Sequence, residues 1–339
     1  MTQDLKDIYH FYLDQETKER LKTLPRFKRW FVLMSWLFKS LILKLTPVRR
    51  LLFVIACIFF VVGRSRFQIN ETDVNPTYLD ELGFVVLLVI LMLELKDKLL
   101  AQDELAVGRA VQFSLLPNTN PRIPGWDAWM LTRPANEVGG DLVDYLQIDE
   151  HRWGLCLGDV AGKGLGAALV MARLQATIRA IAANFTSLYE LGAALNRIFC
   201  RDGIPSRFVS LVYFEVDTRL STVRFLNAGH LPPLIQQGET TIETRHVAPA
   251  LGIQSKSTYE EQQIELNSGD FLVAYSDGLT EAKNERGSFF GETRLQSVLP
   301  KLRGQSAEAI GVALVKTIDR FIDEARQNDD MSLIILKRT

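Results

Sequence analysis

The chain has 339 residues, of which 47% are hydrophobic and 23% charged, and its formal net charge is −1. A chain of this length and composition can bury one large core of about 200 residues beside a separate N-terminal unit. Its three cysteines, Cys57, Cys156 and Cys200, lack metal-type spacing, which argues against a disulfide framework and fits a reducing cytosol for the globular part.

The small net charge hides a basic, amphipathic N-terminal region, residues 1–50. No acidic residue occurs between Arg20 and Arg50, where Lys and Arg are interspersed with Trp, Phe and Leu. Residues 30–45 predict an amphipathic helix that lies in a membrane interface. The pattern favours a membrane surface as a partner. The lack of a DNA- or RNA-binding signature argues against nucleic acid.

Two apolar runs, residues 51–63 and 82–93, follow the basic region. Each is shorter than the roughly 20 residues that a bilayer core requires, but tilt and the flanking Lys and Arg side chains can extend them. Basic residues precede the first run and follow the second, which predicts a two-helix transmembrane hairpin over 51–93 with both ends in the cytoplasm. We therefore expect the chain in the inner (cytoplasmic) membrane. The alternative is a pair of buried helices in a small soluble sensor domain.

Residues 94–117 predict a helical stalk that ends at Pro117. It is a candidate for homodimer contact with a second copy, although its two heptads favour a coiled coil only weakly. The alternative is a helix that packs on the following domain. A turn-rich segment after the stalk marks the start of that domain, residues 118–339.

The last domain alternates between strand and helix patterns. Helical periodicity occurs in residues 164–184, 187–200, 292–299 and 307–326. Short turns between consecutive strands indicate hairpins, which favours an α+β fold in which an antiparallel β-sandwich is flanked by helices. The predicted strands are residues 129–133, 141–148, 153–159, 207–216, 221–227, 234–237, 240–246, 271–276 and 331–337.

Four segments of this domain place aspartate beside glycine or another aspartate near an apolar run: GGDLVDY, GDVAGKG, YSDGLTEA and QNDDMSLIIL. Asp141 and Asp144 fall on opposite faces of a strand, and Asp141 is the better ligand because it follows two glycines. Asp159 ends a strand and enters a glycine-rich turn. Together with Asp277 and either Asp329 or Asp330, Asp141 and Asp159 form a set of oxygen donors without His or Cys. Such a set favours Mg²⁺ or Mn²⁺ over zinc.

Five segments carry a resemblance to a known family: RPANEVGGDLVDY, GDVAGKGLGAALVMA, NAGHLPPLI, YSDGLTEA and NDDMSLIIL. In this order they resemble the SpoIIE/RsbU-type branch of the metal-dependent protein phosphatase 2C-like (PPM) family, from about residue 116 to the C-terminus. The end of the stalk, VQFSLLP, is similar to the helical lead-in of that branch. The resemblance implies a central pair of antiparallel sheets with helices outside, in agreement with the pattern of the strands.

The resemblance also implies a serine/threonine phosphatase that uses two Mn²⁺ or Mg²⁺ ions and a bridging water. By its motifs, Asp141 would bind the second metal, and Asp159 would bridge both metals with the carbonyl of Val160 assisting. Asp141 and Asp159 are thus the predicted catalytic residues.

The first metal would be held by Asp277 and Asp329. Asp329 is preferred over Asp330, because the family's final ligand immediately precedes an Asp/Asn-Met-Thr/Ser segment, here DMS. Attack by a metal-activated water needs no nucleophilic side chain.

Four further residues near these motifs each have a functional or a structural interpretation. His230 could protonate the leaving serine oxygen, but a structural role in its turn is the more common explanation. Lys163 is a candidate phosphate contact or a solvated turn lysine. No residue plainly replaces the arginine by which eukaryotic relatives hold phosphate, and Arg133 is a candidate only by its position. At Gly166 the chain departs from the branch, which often has proline there.

The expected substrate, from the resemblance, is phosphoserine on a small anti-sigma-factor antagonist of the STAS type, in bacterial signalling. Three other functions stay open. One is a metal-dependent phosphohydrolase that acts on nucleotides, for which the sequence contains no base-recognition feature. A catalytically silent, membrane-tethered phosphatase-like module would bind a signalling protein without turnover. A membrane scaffold would hold metal only for its structure, and chelation would then unfold it.

Overall fold

The computed structural model describes residues 26–65, 67–69, 72–74, 78–117, 119–203, 207–220, 222–244 and 248–339. Residues 1–25, half of the predicted basic region, lie outside the described residues, as do 221 and 245–247 at the ends of two predicted strands. The chain divides into two compact units, Met1–Gln102 and Asp103–Thr339.

The first unit is built from helices and a small antiparallel strand pair. A proline in the first turn of its second helix removes only an N–H that has no partner within the helix. The third helix is 38 residues long and includes the second apolar run and the predicted stalk up to Leu115, two residues short of its predicted end. In chain order the elements are α1 (Arg26–Lys44), α2 (Pro47–Gly63), β1 (Phe67–Ile69), β2 (Thr72–Val74) and α3 (Tyr78–Leu115), whose residues from Asp103 onward belong to the second unit.

Helices α2 and α3, which contain the two apolar runs, pack against each other in antiparallel directions. Gly83 lies so close to α2 that a Cβ there would be 3.1 Å from the carbonyl oxygen of Ala56. Arg49 forms ion pairs with Glu94 at 2.6 Å and Asp97 at 2.5 Å. The helical hairpin is therefore closed by polar contacts at one end, and its placement in a membrane stays a prediction.

Many apolar side chains of this hairpin are exposed. Examples on the two helices are Leu51, Val54, Ile58, Phe84 and Leu91.

Within the part of the chain that the structure describes, the one segment long and apolar enough to cross a membrane is Leu165–Asn184, in the second unit. Met171, Leu174 and Ile178 of that segment are fully buried in the core, so packing accounts for its apolar character.

The second unit contains two five-stranded sheets in which neighbouring strands are antiparallel. The first sheet, in spatial order, consists of β10 (Gln262–Glu265), β7 (Thr222–Ala228), β6 (Val209–Asp217), β5 (Arg152–Val160) and β4 (Leu142–Gln147). The second consists of β3 (Trp126–Arg133), β12 (Met331–Arg338), β11 (Phe271–Tyr275), β8 (Leu234–Gln237) and β9 (Thr240–Glu243).

Helices cover the outer faces of both sheets. The helices, in chain order, are α4 (Leu165–Ile181), α5 (Leu188–Arg201), α6 (Asp277–Thr280), α7 (Glu292–Val298) and α8 (Ala307–Ile322). Helix α4 packs on β4 and β5, α5 on β7, and α8 on β3 and β12. The predicted α+β architecture, two antiparallel sheets with helices outside, is confirmed.

The main core lies between the two sheets. In β5, Leu155 and Leu157 enter this core beside Phe214 and Ile334, whereas Cys156 points to the opposite face and packs under α4. Successive residues of a strand point to opposite faces. Because both faces are covered here, the strand is apolar over nearly its whole length, which is why it was recognisable in the sequence.

The differences from the predicted elements concern strands β1, β2 and β10, the short helix α6 and several ends. Strand β10, with the sequence QQIE, was missed because only Ile264 in it is buried and the strand lies at a sheet edge. Strand β3 begins at Trp126 rather than at residue 129. Helix α8 ends at Ile322 rather than at residue 326, because Asp323 adopts a φ of 54°, a left-handed conformation that ends a helix.

Candidate metal centre

Four loops at one end of the sandwich carry the predicted aspartates. Asp141 directly precedes β4 and Asp159 lies near the end of β5, and the antiparallel pairing of these strands brings the two positions to the same edge. Asp277 follows β11 and Asp329 precedes β12, which are also antiparallel neighbours. Contacts between the two sheets then bring the two pairs of loops together.

The glycines in these motifs allow the loops to approach closely. A Cβ on Gly139 would lie 2.6 Å from the Asp330 carboxylate, and one on Gly140 would lie 3.1 Å from the carbonyl oxygen of Val160. A Cβ on Gly278 would lie 2.0 Å from the Asp330 carbonyl oxygen. These glycines are needed because a larger residue would separate the backbones that carry the carboxylates.

Asp141 is buried with one carboxylate oxygen left unpaired. The side chain is 5% exposed, and its Oδ2 has no hydrogen-bond partner. Burial, followed by the charge of Asp159, raises the pKa of Asp141 well above its ordinary value. An orphaned carboxylate oxygen in this position is the kind of atom that a cation satisfies.

The pKa values of two neighbouring carboxyls are raised as well. Burial, followed by the charges of Asp277 and Asp329, raises the pKa of Asp159 to about 6. Burial and the charge of Asp329 raise the pKa of Asp277. Like charges held together in a partly buried site disfavour ionisation, and a divalent cation among them would reverse that effect.

The adjacent residues Asp329 and Asp330 have different surroundings. Asp330 is 8% exposed, and its carboxylate accepts the backbone N–H groups of Ala135 at 2.8 Å and Gly140 at 2.6 Å. Its carboxylate thus fixes the loop that carries Asp141. The side chain of Asp329 is 40% exposed, and its oxygens accept the N–H of Asp330 at 3.0 Å and the Lys163 ammonium at 2.7 Å.

Among the residues that the structure describes, no three His, Cys, Asp or Glu side chains form a closed metal-binding group. The carboxylates nevertheless share one electrostatic environment. The unpaired Oδ2 of Asp141, the space left by Gly140 beside Val160, and a donor set made only of oxygens all fit a hard divalent cation. The predicted residues therefore fit Mg²⁺ or Mn²⁺, and the assignment of each ligand stays a prediction.

Asp144, the other acidic residue of the first motif, has a structural role. Its side chain is fully buried and receives two hydrogen bonds from Arg179 on α4, both at 2.7 Å. This paired, two-point contact ties α4 to the first sheet. Asp144 thus does not face Asp141 across a shared site.

His230 is buried in a polar turn. The backbone N–H of His230 donates to Asn227 Oδ1 at 2.8 Å, and Asn227 Nδ2 donates to the backbone carbonyl of His230 at 3.0 Å. The ring Nδ1 of His230 lies 3.0 Å from the Ser210 hydroxyl. Burial lowers the pKa of His230 to about 4. The ring is therefore neutral near pH 7 and is poorly suited to donate a proton, which supports the structural role.

Gln112, near the end of α3, contacts the loop that carries Asp141, and the sequence did not predict this contact. Its Nε2 donates to the carbonyl of Gly139 at 2.7 Å, and its Oε1 accepts the N–H of Gly139 at 3.1 Å. The side chain is 5% exposed. The family-like segment VQFSLLP, which contains Gln112, was the available sequence signal, but the partner of the glutamine could not be inferred.

Arg207 was missed too, and it explains one departure from the family pattern. Its guanidinium lies against the glycine-rich turn after β5, where a Cβ on Gly166 would be 2.6 Å from its Nη2. Its Nη1 is buried without a hydrogen-bond partner among the described residues. Gly166 therefore provides room for this side chain. Arg133, the earlier candidate, forms an ion pair with Asp319 at 2.8 Å.

Comparison with known sequences identifies a family over more than half of the chain. The sequence model described as Stage II sporulation protein E (SpoIIE) matches residues 149–339. The phosphoserine phosphatase RsbU of Bacillus subtilis (strain 168) is 25% identical over 239 residues, which cover 70% of each chain. Protein IcfG of Synechocystis is 25% identical over 312 residues, which cover 81% of this chain and 49% of that protein.

Phosphoserine phosphatase RsbP of Bacillus subtilis (strain 168) is 28% identical over 191 residues, which cover 54% of this chain and 47% of that protein. The chain thus spans about half the length of IcfG and RsbP. Among solved structures, the SiaA-PP2C domain of Pseudomonas aeruginosa superposes with a TM-score of 0.63 at 22% identity, covering 71% of this chain and 98% of that one. The RsbU and RsbW domains of Rv1364c from Mycobacterium tuberculosis superpose with a TM-score of 0.54 at 25% identity, covering 64% of this chain and 61% of that one.

Proposed function

The chain belongs to the SpoIIE family, and from that premise we propose that it is a metal-dependent phosphatase that hydrolyses phosphoserine on a protein in bacterial signalling. The observation that carries the proposal is the convergence of four aspartate-bearing loops around the unpaired Oδ2 of Asp141. The raised pKa values of Asp159 and Asp277 support it. The names of RsbU and RsbP, both phosphoserine phosphatases, support the reaction class.

The proposed ligands are those implied by the family motifs. Asp141 would hold the second of two Mn²⁺ or Mg²⁺ ions, Asp159 would bridge both with help from the Val160 carbonyl, and Asp277 and Asp329 would hold the first. When bound, such a pair lowers the pKa of a shared water and neutralises phosphate charge.

The residues of the chain then orient and support the reaction. Asp330 holds the loop of Asp141 by accepting the N–H of Gly140. The Ser276 hydroxyl donates to the Asp330 carbonyl at 3.0 Å and also accepts the N–H of Ser332 at 2.9 Å, so it links the two loops of the second sheet. Water as the nucleophile requires no covalent intermediate. A neutral, buried His230 leaves the proton for the departing serine oxygen to another donor, such as solvent.

The substrate class and location follow from the resemblance and the first unit. We propose a phosphorylated STAS-type antagonist as the protein substrate, and the cytoplasmic (inner) membrane as the location, with the phosphatase domain in the cytoplasm. The exposed apolar faces of α2 and α3 support membrane contact. The exposed Val107 and Val111 of α3 are compatible with a homodimer through the stalk, which sedimentation of the full chain at several concentrations would test.

Phosphate release from a phosphoserine protein by the full chain tests the function. Turnover is expected with Mn²⁺, and is expected to vanish with EDTA and in Asp159→Asn. The matched control is Asp103→Asn, which replaces an exposed carboxylate of α3 and should retain turnover. A folded, metal-loaded wild-type chain without turnover would instead favour the silent binding module.

A further inference from the structure

Lys163 lies in the turn between β5 and α4 and reaches across to the other sheet. Its Nζ donates to the Asp329 carboxylate at 2.7 Å and to the carbonyl of Asn328 at 3.1 Å. The ammonium of Lys163 therefore joins the turn after β5 to the loop before β12, at the edge of the carboxylate cluster.

The partner distinguishes this contact from an ordinary surface ion pair. By exposure alone, 58% for Lys163 and 40% for Asp329, the pair would contribute little to stability. Asp329, however, is a predicted ligand of the first metal. Its Oδ1 accepts the N–H of Asp330 and its Oδ2 accepts Lys163. A cation that binds Oδ2 must therefore compete with the lysine ammonium for this oxygen and meets its positive charge.

Lys163 lies in an exposed turn between the strand and the helix, where its side chain is 58% exposed. Gly162 and Gly164 flank Lys163 with φ of 108° and 74°, conformations that residues with a side chain rarely adopt. A Cβ on Gly164 would meet no atom within 4 Å, so the space on that side is open. The lysine side chain thus has an exit into solvent.

We propose that Lys163 is an internal cation that occupies the Asp329 carboxylate in the metal-free protein and competes with a divalent metal for it. The inference rests on the proposed metal centre and adds a means by which the chain sets its own metal affinity. The lysine balances part of the carboxylate repulsion when metal is scarce. It also weakens metal binding, because the ion pair must break and a positive charge remains nearby.

Calorimetric titration of the full chain with Mn²⁺ tests the competition without any substrate. Loss of a half-exposed ion pair should tighten binding about two- to fivefold in Lys163→Met. Lys163→Arg should stay near wild type, because it keeps the charge. Lys316→Met, which removes one exposed charge from α8, is the matched control and should also bind as wild type. Asp329→Asn identifies the binding event that belongs to this carboxylate.

A second readout is thermal unfolding. Without metal, Lys163→Met should unfold about 1–4 °C below wild type, and saturating Mn²⁺ should remove the difference. If the methionine variant does not fold, Lys163→Gln is titrated in its place with the same expectation.

Equal or weaker Mn²⁺ affinity after removal of the lysine charge would overturn the inference. If Mn²⁺-dependent turnover of the wild type is intact in that case, the proposed function survives and only the competition fails. If the wild type binds no Mn²⁺ at all, both the metal centre and the inference are wrong.

Discussion

Asparagine substitutions at Asp329 and Asp330, made one at a time, are expected to separate metal binding from folding although the residues are adjacent. Asp330 is buried and accepts two backbone N–H groups, whereas the more exposed Asp329 accepts Lys163 and one N–H of its own loop. Asparagine at position 330 keeps one acceptor oxygen but turns an NH₂ group towards a second N–H donor. The same change at position 329 leaves the buried loops intact.

The magnitudes follow from these contacts. A hydrogen bond to a charged group contributes about 1.5–3 kcal/mol, and a buried donor without a partner costs about 1–3 kcal/mol. Less repulsion from Asp141 and Asp159 offsets part of the loss, so we expect Asp330→Asn to cost about 2–3 kcal/mol. At about 2–4 °C per kcal/mol for a domain of this size, Tm falls by about 4–12 °C. Asp329→Asn loses an exposed ion pair worth about 0–1 kcal/mol and also loses one repulsive charge, so its Tm changes by about 2 °C or less.

Thermal unfolding of the full chain, in EDTA and in saturating Mn²⁺, measures both effects. Mn²⁺ should raise the Tm of the wild type and of Asp330→Asn, and should raise that of Asp329→Asn much less, because a ligand is lost. Two results would refute the reasoning. One is an equal loss of Tm by the two variants in EDTA. The other is full stabilisation of Asp329→Asn by Mn²⁺.

Three further predictions concern pH, His230 and Gln112. In EDTA the free energy of unfolding should fall by about 1–2 kcal/mol between pH 5 and pH 7. The folded-state pKa of Asp159 is about 6, above its unfolded value of about 3.9, so the stability that comes from the retained proton is lost as the pH rises through that window. Urea unfolding at both pH values measures the change, and a gain in stability would contradict the prediction. His230→Ala should lower Tm by several degrees but keep turnover per folded molecule within about threefold, whereas a loss beyond about a hundredfold at unchanged Tm would identify a proton donor. Gln112→Met removes both hydrogen bonds to Gly139 and should cost about 1–3 kcal/mol in urea unfolding; no change would mean that other contacts hold that loop.

The sequence was sufficient for the architecture because the decisive strands are buried on both faces. Strand β5 alternates between two cores, with Leu155 and Leu157 on one side and Cys156 on the other, so its apolar run is long and clear. Strand β10 lies at an edge and buries mainly Ile264, so it gave no comparable signal. Edge strands with one apolar residue are not distinguishable from loops by local pattern.

The candidate site residues divide in the same way. Asp141 and Asp159 could be predicted as ligands because glycines mark the ends of their strands. Gln112 and Arg207 were not found, since their roles depend on contacts with Gly139 and Gly166 that arise only in the folded chain. No local pattern reports which distant backbone groups a polar side chain will meet.

The most direct test of the central claim is a crystal structure of the chain soaked in Mn²⁺, with anomalous scattering measured at the manganese absorption edge. The account predicts two anomalous peaks about 4 Å apart, with Asp159 between them, Asp141 at one, Asp277 and Asp329 at the other, and Lys163 displaced from Asp329. Absence of peaks at this edge of the sandwich, or a single ion held without Asp159, would contradict it.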